Sequence, residues 1–143
     1  EETFDEALRE FTRRWAFKHP HPVDLFSTFE EVAGRGDLDW YFYPWLYTTR
    51  VMDQSIDGVS VSEDGRNVRL FLEDTGEIPM PVIVEFEVAG REPVRLIAPH
   101  EDWREGRMEL EVVLPGPVTR IVLDPETVLP DVNREDNEWL PAG

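Results

Sequence analysis

Twelve of the sixteen aromatic side chains fall within residues 1–57, and nine of the twelve prolines follow in residues 58–143. A chain divided in this way does not form one uniform layer, because aromatic-dense helical patterning and proline-punctuated strands require different architectures. The change of character lies near Asp53 to Gly58. The expectation is an α+β protein. A helical segment of about three helices occupies residues 1–57, and an antiparallel β-sandwich-like domain occupies residues 58–143. The total of 143 residues suits one ordinary domain or two small packed pieces.

In the first part, Phe4, Leu8, Phe11 and Trp15 recur at the spacing of one helical face. Thr3 and Glu6 have the capping-box spacing at its start, and His19-Pro20 forces the helix to stop. Pro22 suits the first turn of a second helix, with Asp24 complementing its dipole and Leu25, Phe26, Phe29 and Val32 forming its stripe. Gly34 and Gly36 end it. Asp37 is a candidate cap for a third segment carrying Leu38, Phe42, Trp45 and Leu46, in which Pro44 predicts a kink or break. In the second part Val59/Val61, Val68/Leu70/Leu72, Val82/Val84/Phe86/Val88, Val94–Leu96, Met108/Leu110/Val112/Leu114 and Val118–Leu123 read as strands. Turn signals separate them at Glu63–Arg66, Asp74–Gly76, Gly90 and Pro115–Pro117. Half-buried strands at this spacing are the pattern of a sandwich.

The formal charge is −17, from 31 acids against 14 bases, and Lys18 is the one lysine. Such a surface repels phosphate backbones and anionic lipid, so neither nucleic acid nor membrane is an expected partner. No apolar run reaches the length of a membrane span. With no cysteine there is neither a disulfide framework nor a thiolate metal site, although the compartment is not fixed by this. The acid excess with a single lysine has two readings, adaptation to high salt and the codon bias of a GC-rich genome. A GC-rich genome accounts for arginine in place of lysine but not for the net charge. Both parts share the acidity, with 12 acids against 6 bases up to residue 57 and 19 against 8 beyond it.

His100-Glu101 opens HEDWR, which lacks the second histidine of a zinc HExxH motif and follows Pro99 in a strand-rich region. His19 and His21 have no nearby third ligand and read as turn and cap residues. The pairs Glu30-Glu31, Asp37/Asp39 and Asp136/Glu138 read as solvated surface, and Ser27, Ser55, Ser60 and Ser62 lie in no nucleophile elbow. The run Trp40, Tyr41, Phe42, Tyr43, Trp45 and Tyr47 could stack sugars, but reads more readily as half core and half interface. No catalytic, cofactor-binding or metal-ligating residue is therefore assigned.

The stretches FTRRWAFKHP, DLFSTFEEVAG, DLDWYFYPWLYTT and VLPDVNREDNEW, in this order, resemble the region that follows the active site in bacterial gluzincin zinc aminopeptidases of the alanyl-aminopeptidase family. Asp24, Leu25 and Phe26 match that family's D-F/L-F helix, and Trp45 to Thr49 match its W-F/L-Y-T-T ending. The resemblance is strongest over residues 4–57. His21 stands where the family usually has a capping Thr or Ser, and Pro44 where a helix former is common. The family's HExxH, downstream glutamate ligand, GxMEN-type loop and transition-state tyrosine lie upstream in family order, and none occurs in this sequence.

What the resemblance implies is a non-catalytic C-terminal fragment. It would pack behind the zinc site of an upstream catalytic lobe of the same polypeptide. Zinc and peptide substrate belong to that parent, where a zinc-bound water attacks the peptide carbonyl with the HExxH glutamate as base. The parent would be bacterial, and periplasmic or secreted rather than cytoplasmic. The opening at Glu1, with neither a methionine nor a signal peptide, reads as a piece of something longer. Helices cut from a larger lobe are expected to expose apolar residues and to favour self-association. The alternative is an independent β-sandwich binding module, for protein or carbohydrate, with a helical docking extension.

Overall fold

The structure, a computed structural model, describes residues 2–141. Three helices are followed by seven strands in two antiparallel sheets, the α+β arrangement expected. The chain forms two compact units, Glu1–Thr49 and Arg50–Gly143.

The helical unit contains α1 (Glu2–Trp15), α2 (Pro22–Ala33) and α3 (Asp39–Tyr47). Thr3 lies inside the first turn of α1 and does not precede it. The helix also ends before the proline could stop it, because Phe17 turns left-handed at φ 63°. Pro22 sits at the start of α2, where its missing N–H is no loss, and the Asp24 carboxylate accepts the His21 N–H at 2.7 Å. Gly34 closes α2 in the left-handed conformation at φ 65°, a position that favours glycine. Two expectations for α3 are corrected. Asp37 pairs with Arg35 at 3.2 Å and does not cap, the cap position being Leu38. The helix also runs through Pro44 without breaking, since a single rung is lost and the ring is buried.

The core of this unit is small: Ala7, Phe29 and Phe42, with Leu25, Phe26, Val32, Leu38 and Tyr41 packed against it. Rings supply most of the contact. Phe26 stacks on Phe42 at 4.5 Å, and Phe29 meets Phe4 and Phe42 edge-on at 5.3 and 5.6 Å. Arg14 bridges α1 to α2 through Glu31 at 2.6 Å, while Glu10 is clasped by Arg13 and Arg14. Those two guanidiniums hold the Glu10 carboxyl down at about 2.

In the second unit one sheet has the order β1 (Gln54–Val61), β2 (Asn67–Asp74), β5 (Arg107–Val113) once the intervening strands are counted. The other has the order β4 (Val94–Ala98), β3 (Val82–Val88), β6 (Val118–Leu123), β7 (Glu138–Trp139). Both sheets contribute to one core, with Leu70 and Met108 from the first and Val84, Phe86 and Ile121 from the second. This is a sandwich, each strand turning alternate residues inward.

The outward residues pair across strands. Arg69 on β2 reaches Glu109 and Glu111 on β5, and Arg120 on β6 ties Glu87 on β3 to Glu138 on β7. Strand acids are thus matched locally where the pleat brings an arginine opposite, as Arg107 also does for Glu73.

The sequence places the architectural change near Asp53 to Gly58, whereas the compact units part between Thr49 and Arg50 and β1 begins at Gln54. The composition lags because the chain enters β1 through the polar run Asp53, Gln54 and Ser55. A bulge between Ile56 and Gly58 then breaks the alternation, so that Ile56 and Val59 both reach the core.

Candidate functional site

The residues singled out for chemistry remain apart. His100 lies in a single 3-10 turn (His100–Asp102) with its Nδ1 3.0 Å from Glu101, not on a metal-binding helix. His21 serves the start of α2 with its backbone. Glu30 accepts the Leu38 N–H, Glu31 pairs with Arg14, and Glu138 with Arg120. Ser62 donates to Asp64 at 2.6 Å in the β1–β2 turn. Among the described residues no three or more His, Cys, Asp or Glu are grouped to hold a metal ion.

Two acids are drawn away from solvent, Asp136 where the C-terminal segment meets the start of β1 and Asp74 at the end of β2. Val132 N–H donates to Met52 carbonyl at 3.1 Å and Ile56 N–H to Asp136 carbonyl at 3.0 Å, fixing residues 131–137 beside residues 52–56. Asp131 is the hub. Its Oδ2 accepts Gln54 N–H at 3.2 Å and Asn137 Nδ2 at 3.0 Å, and its Oδ1 accepts Asn133 N–H at 3.0 Å. Asp136 Oδ2 accepts Asn133 Nδ2 at 2.8 Å, and Asp53 Oδ2 accepts the Thr75 hydroxyl at 2.6 Å. Burial pushes the Asp136 carboxyl upward, and the charges of Asp53, Asp131 and Glu135 add to it. The surface reading of Asp136 is therefore corrected: the backbone path of 131–137 folds it inward.

Asp74, at the end of β2, is the second. It is buried, with its Oδ1 accepting Gly76 N–H at 3.2 Å, and it lines a cleft with Thr75, Glu77, His100, Glu101 and Trp103. Loss of solvent raises its carboxyl to about 6, against the partial relief given by backbone N–H donors. The folded state therefore holds this proton more tightly than the unfolded chain does. The Asp74 contribution to stability is therefore expected to fall as pH rises from about 4 to about 6, by roughly 2–3 kcal/mol, and then to level off. Asp74→Asn is expected to flatten that window relative to the parent chain. Urea titrations at pH 4, 5, 6 and 7 measure it, and equal slopes for the two proteins would refute the assignment.

Sequence reasoning missed one more acid. Asp124 is 3% exposed, sits at φ 44° and accepts the N–H groups of Val128 and Leu129 at 3.0 and 2.9 Å, besides Arg134 at 3.0 Å. Asp followed by Pro125 is a turn signal, the one trace of this role in the sequence.

In the helical unit, apolar side chains stay exposed: Phe4, Leu8, Tyr43, Leu46 and Tyr47, and Phe17 entirely. The aromatic run of α3 is split between core and surface, with Phe42 and Pro44 buried and the exposed Tyr43 stacked on Tyr47 at 5.9 Å. Comparison with protein-family models, with curated proteins and with solved structures finds no match for this chain.

Proposed function

We propose that this chain is the non-catalytic C-terminal region of a gluzincin-type zinc aminopeptidase, a packing and interface element for an upstream zinc-bearing lobe. The observation that carries the reading is the helical unit's imbalance. Three helices share a core of Ala7, Phe29 and Phe42, while Phe4, Leu8, Tyr43, Leu46 and Tyr47 remain exposed. Helices with so much apolar surface left over suit one layer of a larger helical body. The order of the segments from Phe11 to Thr49 supports the same assignment.

In this reading zinc, catalytic glutamate and peptide substrate all lie in the upstream lobe, and the chain hydrolyses nothing by itself. The purified chain is expected to carry no stoichiometric zinc by elemental analysis and to release no product from aminoacyl substrates. One equivalent of tightly held zinc would overturn the reading. Reading the coding sequence upstream of Glu1 tests it directly: an HExxH with a downstream glutamate supports it, and an unrelated domain refutes it.

A second reading, an independent binding module with a helical docking extension, is favoured by the sandwich having a hydrophobic core and unit boundary of its own. An unrelated upstream domain would select it.

A further inference from the structure

Helix α1 carries its apolar residues on a line that the helical unit does not fully use. Phe4, Leu8, Phe11 and Trp15 form one stripe, yet the residue that α1 buries is Ala7. Leu8 lies about 100° further round the helix than Ala7. It is 45% exposed, and Phe4 is 52% exposed although it meets Phe29 edge-on. Phe11 and Trp15 are half-buried. The stripe therefore turns partly away from the core, and an apolar helix face left in water marks a docking surface.

Charge identifies what docks there. Residues 2–18 hold four acids and four bases, so the −17 of the chain lies wholly outside them. Another copy of so acidic a protein meets least repulsion here. The balance is also ordered along the axis. Glu2, Asp5 and Glu6 fill the first turns, whereas three arginines and Lys18 follow from residue 9 onward, with Glu10 the single acid among them. A uniformly acidic or basic partner would be repelled at one end. A partner with the reverse order is attracted at both, and α1 run backwards has that order. Two antiparallel copies also oppose their helix dipoles favourably.

The apolar spacing allows the same arrangement. When Phe4 lies level with the partner's Trp15, Leu8 lies level with the partner's Phe11, so the stripe is complementary to itself. In this register Asp5 and Glu6 stand at the height of the partner's Arg14 and the partner's Arg13. The Arg13 side chain is 72% exposed even while it holds Glu10.

We propose that the partner of the α1 face is a second copy of this chain, joined as a closed two-fold dimer through antiparallel α1 helices. Such a contact is isologous and ends at two copies. The inference goes beyond the function proposed above. It uses Phe4 and Leu8, leaves Tyr43, Leu46 and Tyr47 to an upstream lobe, and holds with or without one.

The test is sedimentation equilibrium of the full chain from micromolar to millimolar concentration at fixed salt. A reversible rise from monomer to a plateau at dimer is expected. Leu8→Glu is expected to raise the dissociation constant at least tenfold with helix content unchanged by circular dichroism, and Tyr43→Glu on α3 to leave it unaltered. Monomer throughout, or growth past the dimer, would overturn the proposal. So would loss of the dimer in Tyr43→Glu but not in Leu8→Glu. Direction is read separately, because the chain has no cysteine of its own. Phe4→Cys and Trp15→Cys chains, mixed and oxidised, are expected to form chiefly the mixed disulfide. In the antiparallel pair the two copies of position 4 stand about 16 Å apart along the axis, too far to bridge. Predominant disulfides between two Phe4→Cys chains would therefore overturn it. Should Leu8→Glu unfold the helical unit, the disulfide comparison decides.

Discussion

Phe86→Ala is expected to lower the stability of the sandwich unit by about 3–5 kcal/mol, the range for emptying a fully enclosed aromatic site. Phe86 is completely buried at the centre of β3, paired with Val94 on one side and Ile121 on the other. Its ring fills the space between the sheets, where Leu70 and Val84 are equally enclosed. Neither neighbouring strand can close the gap without losing register. A typical domain holds about 5–15 kcal/mol in reserve, so this one change removes much of it. The measurement is urea unfolding followed by circular dichroism in the strand region. A midpoint shift equivalent to less than about 1 kcal/mol would mean that the two sheets do not share the core described.

The second large effect is steric. Gly76→Ala would place a methyl carbon 2.2 Å from Val51 carbonyl oxygen and 2.8 Å from Asp53 nitrogen. Both obstacles are backbone, and the close approach is part of the fold, since Val51 N–H donates to Gly76 carbonyl at 3.2 Å. Relief requires the entry to β1 to move away from the end of β2, which breaks that bond and disturbs Asp53 and Asp74 together. The expected loss is above about 4 kcal/mol, in the range that marks a specific structural cause. Gly36→Ala is the matched control, because an added Cβ there meets nothing within 4 Å, and it is expected to be nearly neutral. Comparable melting points for the two variants would refute the argument.

Much of this architecture is legible in the residue pattern because the strands bury one face. Val68, Leu70 and Leu72 alternate with Arg69 and Phe71, and Val82 to Val88 alternate just as cleanly. A one-residue slip would expose the whole set, so the pattern carries the register as well as the strand. The helical stripes are similarly readable, because Phe26 and Phe29 sit where a 3.6-residue period puts them against Phe42. What the pattern does not contain is where polar chains go when tertiary contacts hold them. Gln54 is buried because its amide donates to Met80 carbonyl at 3.0 Å, a carbonyl that also accepts Trp103 Nε1 at 2.8 Å. Nothing local in the sequence announces that pairing.

Strand β7 is missed for a related reason. It has two residues, Glu138 and Trp139, and no room for alternation, being placed by the turn chemistry of Asp131, Asn133 and Asn137 before it. The acidic cluster escapes in the same way. Asp53, Asp131 and Asp136 are three acids among 31, and only the path of the chain distinguishes them. The end of α1 shows the converse. His19-Pro20 sets an outer limit, but Phe17 adopts a left-handed backbone earlier, a choice that residue type disfavours and periodicity cannot register.

The two-residue pairing of β7 with β6 has a consequence for the way the sandwich breathes. Residues 124–139 are held at their near end by the Asp124 carboxylate, in the middle by Asp131, and at the far end by Ile121–Trp139 and Val122–Glu138. Almost all of these fastenings are polar, whereas β2, β3 and β5 are locked by apolar burial along their whole length. Segments with few buried apolar contacts open at lower free energy than the core they lie on. This stretch therefore behaves as a latch that can lift while the remaining strands stay shut, with its amide protons exchanging ahead of those in β3. Asp124 is its hinge pin, because the same carboxylate that caps the turn at Val128 and Leu129 also anchors Arg134.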